Sequence, residues 1–308
     1  LYEWKLLNQG GIVDRYISGK KDPIIFLADL DGDNDLDLLN GSRGPDNEYQ
    51  SNATGSMIGH KYDFEEKRMI RIDRERKTQG SLSSFNINYI TDINVGLLND
   101  DEYVDVIINR FESNGSNSIH VYFGKEPIGG GSSNLNEETL VYDQLRIGDG
   151  LYDGKIKLAD LNNDGQLEIL QIGLNNGNQT SGKPKLIIYS YSNDSFETKD
   201  VSDQIAALSN SSFDLGDVDN DQDLDFVITG FDQASGLKSY LYENITDTGG
   251  DFKLEVTSNN FAATRDGSID FFDYDTDGDL DILITGTGVS GDIFEIYVNK
   301  LNEDITDW

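Results

Sequence analysis

Short apolar runs alternate with acidic, turn-forming stretches along the whole chain. Ile24 to Leu27, Ile156 to Leu158 and Ile269 to Phe272 each lead into a series of aspartates. A nearly continuous apolar run follows each acidic stretch: Leu36 to Leu39, Val104 to Ile108, Leu167 to Ile172, Leu224 to Thr229 and Leu280 to Thr285. Runs this short, rich in β-branched residues and bounded by turn formers, predict strands buried on both faces. Alternating aromatic stretches come next: Ile119 to Phe123, Leu186 to Tyr191, Ser239 to Tyr242 and Phe294 to Val298. More polar stretches, Arg68 to Ile72, Thr139 to Tyr142 and Phe252 to Val256, predict a fourth strand nearer an edge.

These elements repeat. Five segments align without gaps: FLADLDGDNDLDLLNG from Phe26, NVGLLNDDEYVDVIIN from Asn94, KLADLNNDGQLEILQIG from Lys157, LGDVDNDQDLDFVITG from Leu215 and FFDYDTDGDLDILITG from Phe271. Four strands in a repeat of roughly 60 residues predict the blade of a β-propeller. The expectation is an all-β single domain over 1–308, with repeats centred on loops 29–37, 97–105, 160–168, 217–225 and 273–281. The last repeat stops after its third strand, near Asn299, whereas Tyr2 to Leu7 resembles a lone fourth strand. That phase predicts that the N-terminal strand completes the last blade and removes an exposed edge.

The acidic loops carry the chemistry. Numbering each loop from its first acid, positions 1, 3, 5 and 9 are Asp29, Asp31, Asp33 and Asp37 in loop one. They are Asp160, Asn162, Asp164 and Glu168 in loop three, and Asp217, Asp219, Asp221 and Asp225 in loop four. In loop five they are Asp273, Asp275, Asp277 and Asp281. Calcium takes six to eight hard oxygen ligands, and alternate carboxylates on a tight turn suit it. Position 7 (Asp35, Gln166, Asp223, Asp279) adds a backbone carbonyl in this reading, and the apolar residue at position 8 ties the loop to the core. An EF-hand needs its closing Glu at position 12 and flanking helices, so it is disfavoured. Magnesium demands a stricter octahedron and keeps its waters. Loop two breaks the pattern, with Leu97 at position 1 and Asn99 at position 3, and is expected to bind weakly or not at all. About four calcium ions are therefore expected.

Composition narrows the setting. A net charge of -33 opposes binding to nucleic acid and to anionic membranes. There is no Cys, which excludes disulfides and thiolate metal sites. A calcium-rich chain without disulfides fits a secreted or surface protein of bacteria, outside the cell where calcium is abundant. No run of 18 apolar residues predicts a spanning helix. Beginning at Leu1, the chain reads as a mature product or part of a longer surface protein.

The loops DLDGDNDLD, DLNNDGQLE, DVDNDQDLD and DYDTDGDLD, with the Thr229-Gly230 and Thr285-Gly286 pairs, resemble FG-GAP/VCBS repeats. Such repeats occur in integrin alpha-subunit propellers and in many bacterial surface proteins. The resemblance covers essentially the whole chain. It implies a propeller, commonly seven-bladed, with structural calcium loops; five repeats are visible here.

No catalytic constellation is concentrated anywhere. His60 is expected in a long loop of repeat one and His120 in a strand. In an up-and-down blade the acidic loops lie on one face and the 2–3 and 4–1 loops on the other. Eight residues before loop position 1 stand Lys21, Tyr89, Tyr152, Ser209 and Arg265; fourteen after it stand Arg43, Phe111, Leu174, Phe231 and Thr287. Varied chemistry at fixed positions on a repeated scaffold reads as a recognition surface. Arg43, Tyr89, Phe111, Tyr152, Phe231 and Arg265 are its candidate contacts, for a glycan or protein ligand. The rival readings are a polysaccharide lyase or hydrolase, for which Tyr152 and Arg265 are the candidates, and a structural spacer.

Overall fold

The computed structural model describes residues 23–28, 37–42, 58–63, 68–71, 90–111, 116–128, 139–175, 182–206, 208–258 and 260–301. No helix occurs among them. The chain divides into two compact units, Leu1–Gly150 and Leu151–Trp308.

The first unit contains two antiparallel sheets of four strands, each in chain order. One holds β1 (Pro23–Ala28), β2 (Asp37–Ser42), β3 (Ile58–Asp63) and β4 (Arg68–Arg71). The other holds β5 (Ile90–Gly96), β6 (Asp105–Phe111), β7 (Asn117–Ile128) and β8 (Thr139–Gly148). In the second unit, β9 (Tyr152–Ala159), β10 (Glu168–Leu174), β11 (Pro184–Ser192) and β12 (Ser195–Asp200) form one sheet. The next is β13 (Ser209–Gly216), β14 (Asp225–Asp232), β15 (Gly236–Asn244) and β16 (Leu254–Ser258). The last has three strands, β17 (Arg265–Phe272), β18 (Asp281–Gly288) and β19 (Gly291–Tyr297). Four-stranded antiparallel meanders in chain order are the blades of a β-propeller fold.

In the second unit, the second strands β10 and β14 are the heart of the packing. Every residue of β10 is buried, as are the first six of β14. Side chains alternate across a strand, so β14 serves two cores. Phe226 and Ile228 pack with Leu170, Ile172 and Leu186 of the preceding sheet. Val227, between them, packs with Ile269, Ile282 and Ile284 of the following sheet. Each such side chain contributes about 1.5–3 kcal/mol on burial, which is why the apolar runs are unbroken. Position 8 does tie its loop inward: Leu224 packs against the first of these cores. Gly216 is required by the same closeness, because a Cβ there would meet Leu280 at 2.7 Å and Phe271 at 2.8 Å.

Polar ties join the same sheets. Asp214 on β13 pairs with Lys157 on β9 at 2.8 Å and accepts the Phe271 N–H of β17 at 2.9 Å. Thr264 donates its N–H to the Thr229 hydroxyl at 2.8 Å and its own hydroxyl to the Thr285 carbonyl at 3.1 Å.

Two strands have no apolar signal, β3 and β12. β12 reads SFETKD and is mostly exposed; it is held by backbone pairing with β11. His60 lies within β3, not in a loop as the sequence suggested. The N-terminal segment around Tyr2 to Leu7 and loop one from Asp29 to Leu36 lie outside the described residues.

Candidate metal centre

Each described acidic loop turns between the first and second strands of its sheet. Position 1 builds the turn. In loop three the N–H groups of Asp164 and Gly165 donate to the two Asp160 oxygens at 3.1 and 2.8 Å. In loop four those of Asp221 and Gln222 donate to Asp217, both at 3.0 Å. In loop five those of Thr276 and Gly278 donate to Asp273 at 2.7 and 3.3 Å. Position 5 then accepts the N–H of position 7: Gln166 to Asp164, Asp223 to Asp221, and Asp279 to Asp277, at 2.8–2.9 Å.

This winding puts positions 4 and 6 in the left-handed region. The φ values are 55° and 89° for Asn163 and Gly165, 63° and 80° for Asn220 and Gln222, and 66° and 93° for Thr276 and Gly278. Asn and Gly accept that conformation readily. Gln222 and the β-branched Thr276 do not, so the backbone is strained there and held by the surrounding hydrogen bonds.

Position 9 is a buried clamp. Asp225 accepts the N–H of Val218 in its own loop at 2.9 Å and that of Asn244, at the end of β15, at 2.9 Å. Asp281 likewise accepts from Tyr274 and Asn299, both at 2.7 Å. Asp105 accepts from Leu98 and Gly124 at 2.8 and 2.9 Å. Glu168, the longer acid, accepts from Leu161 at 3.0 Å. Burial pushes Asp225 and Asp105 up to about 6, against the pull of those N–H donors. Burial, aided by Asp164 and Asp160, raises Glu168 to about 7. Asp219 and Asp275 are also raised, first by desolvation and then by neighbouring loop aspartates.

Three carboxylates converge in each of two loops. Single oxygens of Asp217, Asp219 and Asp225 all lie within 4.8 Å of one another, as do those of Asp273, Asp275 and Asp281. A cation with ligands at about 2.4 Å spans that distance. Among the described residues, none of these six carboxylates has a Lys or Arg partner. The donors are all hard oxygens, their charges are mutually uncompensated, and the spacing fits calcium. Loop three has Asn162 in place of one acid, and Asp160, Asp164 and Glu168 do not form a third group this tight. In loop two, with Leu97 at position 1, Asn99 donates to the Asp101 carboxylate at 2.8 Å instead. Of loop one, only Asp37 falls among the described residues, as the first residue of β2.

The recognition candidates sit at the other end of their strands. Tyr152 opens β9 opposite Leu174, Ser209 opens β13 opposite Phe231, and Arg265 opens β17 opposite Thr287. The two sets of positions are thus cross-strand partners. Tyr152 and Phe231 are half-buried, while Arg265 is exposed near Asp266 at 3.7 Å. Phe111 ends β6; Arg43 and Tyr89 lie outside the described residues. His120 is buried and bonds Ser118 at 3.0 Å and Gln144 at 2.7 Å, a structural placement.

What sequence reading missed is a set of asparagines. Asn163 and Asn220 at position 4, and Asn244 and Asn299 at or just past the end of the third strand, reach into a neighbouring loop. Their recurrence at equivalent positions was the available signal. Compared with models of protein families and with curated proteins, the sequence matches none.

Proposed function

We propose that this protein is a calcium-stabilised propeller module of FG-GAP/VCBS type that recognises a glycan or protein ligand outside the cell. The observation that carries the metal reading is the convergence of three unpaired carboxylates in both loop four and loop five. Positions 1, 3, 5 and 9 would hold the ion, with the position 7 carbonyl as a further ligand. Bound calcium would supply charge compensation that no described side chain provides, and so would lock each turn.

The recognition reading rests on the opposite strand ends. Tyr152 and Arg265 stand there at equivalent positions of two sheets, and Phe231 pairs with Ser209, the equivalent position of the sheet between them in the chain, on a frame that otherwise repeats. Aromatic faces stack on sugars, and Arg pairs with acidic groups. A glycan array run beside turnover assays on uronate polysaccharides tests it. Binding that is lost in Tyr152→Ala or Arg265→Ala, with calcium content intact, is the expected result. Release of unsaturated sugars would establish a lyase instead, and no binding to any glycan or surface extract would leave a spacer.

The blade arrangement proposed is a five-bladed ring in which Tyr2 to Leu7 adds the fourth strand beside β19. Among the described residues the last sheet has three strands, and Phe294 on β19 is 73% exposed, which supports this. Deleting residues 1–8 then leaves an open strand edge, and light scattering should report association. A deletion variant that stays monomeric and equally stable would refute closure by this segment.

A further inference from the structure

Loops three, four and five are wired together by two parallel sets of hydrogen bonds. In the first, a position 4 amide reaches position 7 of the next loop. Asn163 donates to the Asp223 carboxylate, and also to the Gln222 carbonyl at 3.2 Å. Asn220 donates in the same way to Asp279, which is fully buried, at 2.7 Å.

The second set runs through the clamps. Glu168 holds the Leu161 N–H, and the carbonyl of Leu161 accepts the Asn244 amide at 3.1 Å. The backbone N–H of Asn244 is held by Asp225, which also holds Val218. The Val218 carbonyl accepts the Asn299 amide at 2.7 Å, and the Asn299 N–H is held by Asp281, which holds Tyr274. One unbroken path therefore links the position 9 acids of three loops through their position 2 peptides.

Resting on the calcium reading above, we infer that Asn163, Asn220, Asn244 and Asn299 are positioning residues that make the three sites fill cooperatively. An ion in loop four fixes Asn220 between positions 3 and 5, and fixes Val218 through Asp225. Those groups in turn hold Asp279 and Asn299, and so pre-set loop five before its own ion arrives. The ordering entropy of the shared bonds is lost once rather than at every site, and linkage makes the effect reciprocal.

Tyr274 offers a readout selective for loop five, because position 2 is Leu161 in loop three and Val218 in loop four. Tyrosine-sensitised terbium emission, measured on the full chain, follows that site. Three variants are compared with the parent. Asp219→Ala empties loop four. Asn220→Gly with Asn299→Gly removes both amides, and glycine keeps the left-handed turn at position 220. The third combines them. The expected result is a rise of about fivefold or more in the terbium half-saturation of loop five in each of the first two, the lower end of usual coupling strengths. The combination should add nothing further. Calorimetry should count the same ions in the double-glycine variant as in the parent, which damage to the fold would not allow. An unchanged half-saturation in the first two variants overturns the coupling and leaves calcium binding standing. Absent emission with flat calorimetry in the parent overturns the metal reading, and the coupling with it.

Discussion

Chelating calcium from the protein is expected to lower its melting temperature by about 20–40 °C, from the following magnitudes. A ligand that binds only the native state at a hundred times its dissociation constant stabilises it by about 2.7 kcal/mol, and about four loops are involved. For a chain of this size each kcal/mol moves the transition by about 2–4 °C. The direction follows from the loops themselves. Asp217, Asp219 and Asp225 hold oxygens within 4.8 Å of one another, with no cationic partner among the described residues. Two like charges at about 4 Å repel by about 4 kcal/mol near a protein surface, so the empty turn is self-repelling. Calorimetric scans in EDTA and in millimolar calcium measure the effect. Coincident scans would refute it. Asp273→Ala should remove one ion from the count. Asn99→Ala should remove none, since loop two already lacks the carboxylate that winds the turn.

Replacing Asp225 by alanine should destabilise the second unit beyond anything that loss of its ion explains. Both Asp225 oxygens accept backbone N–H groups, from Val218 and Asn244, and the side chain is fully buried. Each buried donor left without a partner costs about 1–3 kcal/mol, so about 2–6 kcal/mol is lost even without metal. Asp219 is the control: it accepts only one long N–H bond, from Asp221 at 3.3 Å. In calcium, Asp219→Ala and Asp225→Ala should both melt below the parent. In EDTA, Asp219→Ala should rejoin the parent or exceed it, because one repelling charge is gone. Asp225→Ala should remain well below. If the two variants coincide in EDTA, position 9 is only a ligand and not a clamp.

The strands flanking each loop and the clustering of hard-oxygen donors within it were legible in the chain. Both depend on local chemistry. Strands buried on both faces must be largely apolar, as Leu167 to Ile172 and Leu224 to Thr229 are apart from Glu168, Gln171, Asp225 and Thr229, and a turn of alternating aspartates announces itself by spacing. The polar strands β3 and β12 were not legible, although the polar fourth strands β4, β8 and β16 were. β12 is held by backbone pairing that any sequence can make, and His60 sits in β3 for the same reason. The pairing of Ser209 with Phe231 and of Arg265 with Thr287 followed from a repeat in phase with its hairpins. What only the tertiary structure decided is how the loops use their acids. Position 9 is as acidic as position 3 in the sequence of loops four and five, yet of the two only position 9 is buried, where Asp225 and Asp281 each hold two pieces of backbone together. Asn244 lies 83 residues from Leu161 and Asn299 lies 81 from Val218. Hydrogen bonds of that span have no local signature, because the residue types that make them are equally at home in any turn. They exist only once successive sheets are packed close enough for one loop to reach the next.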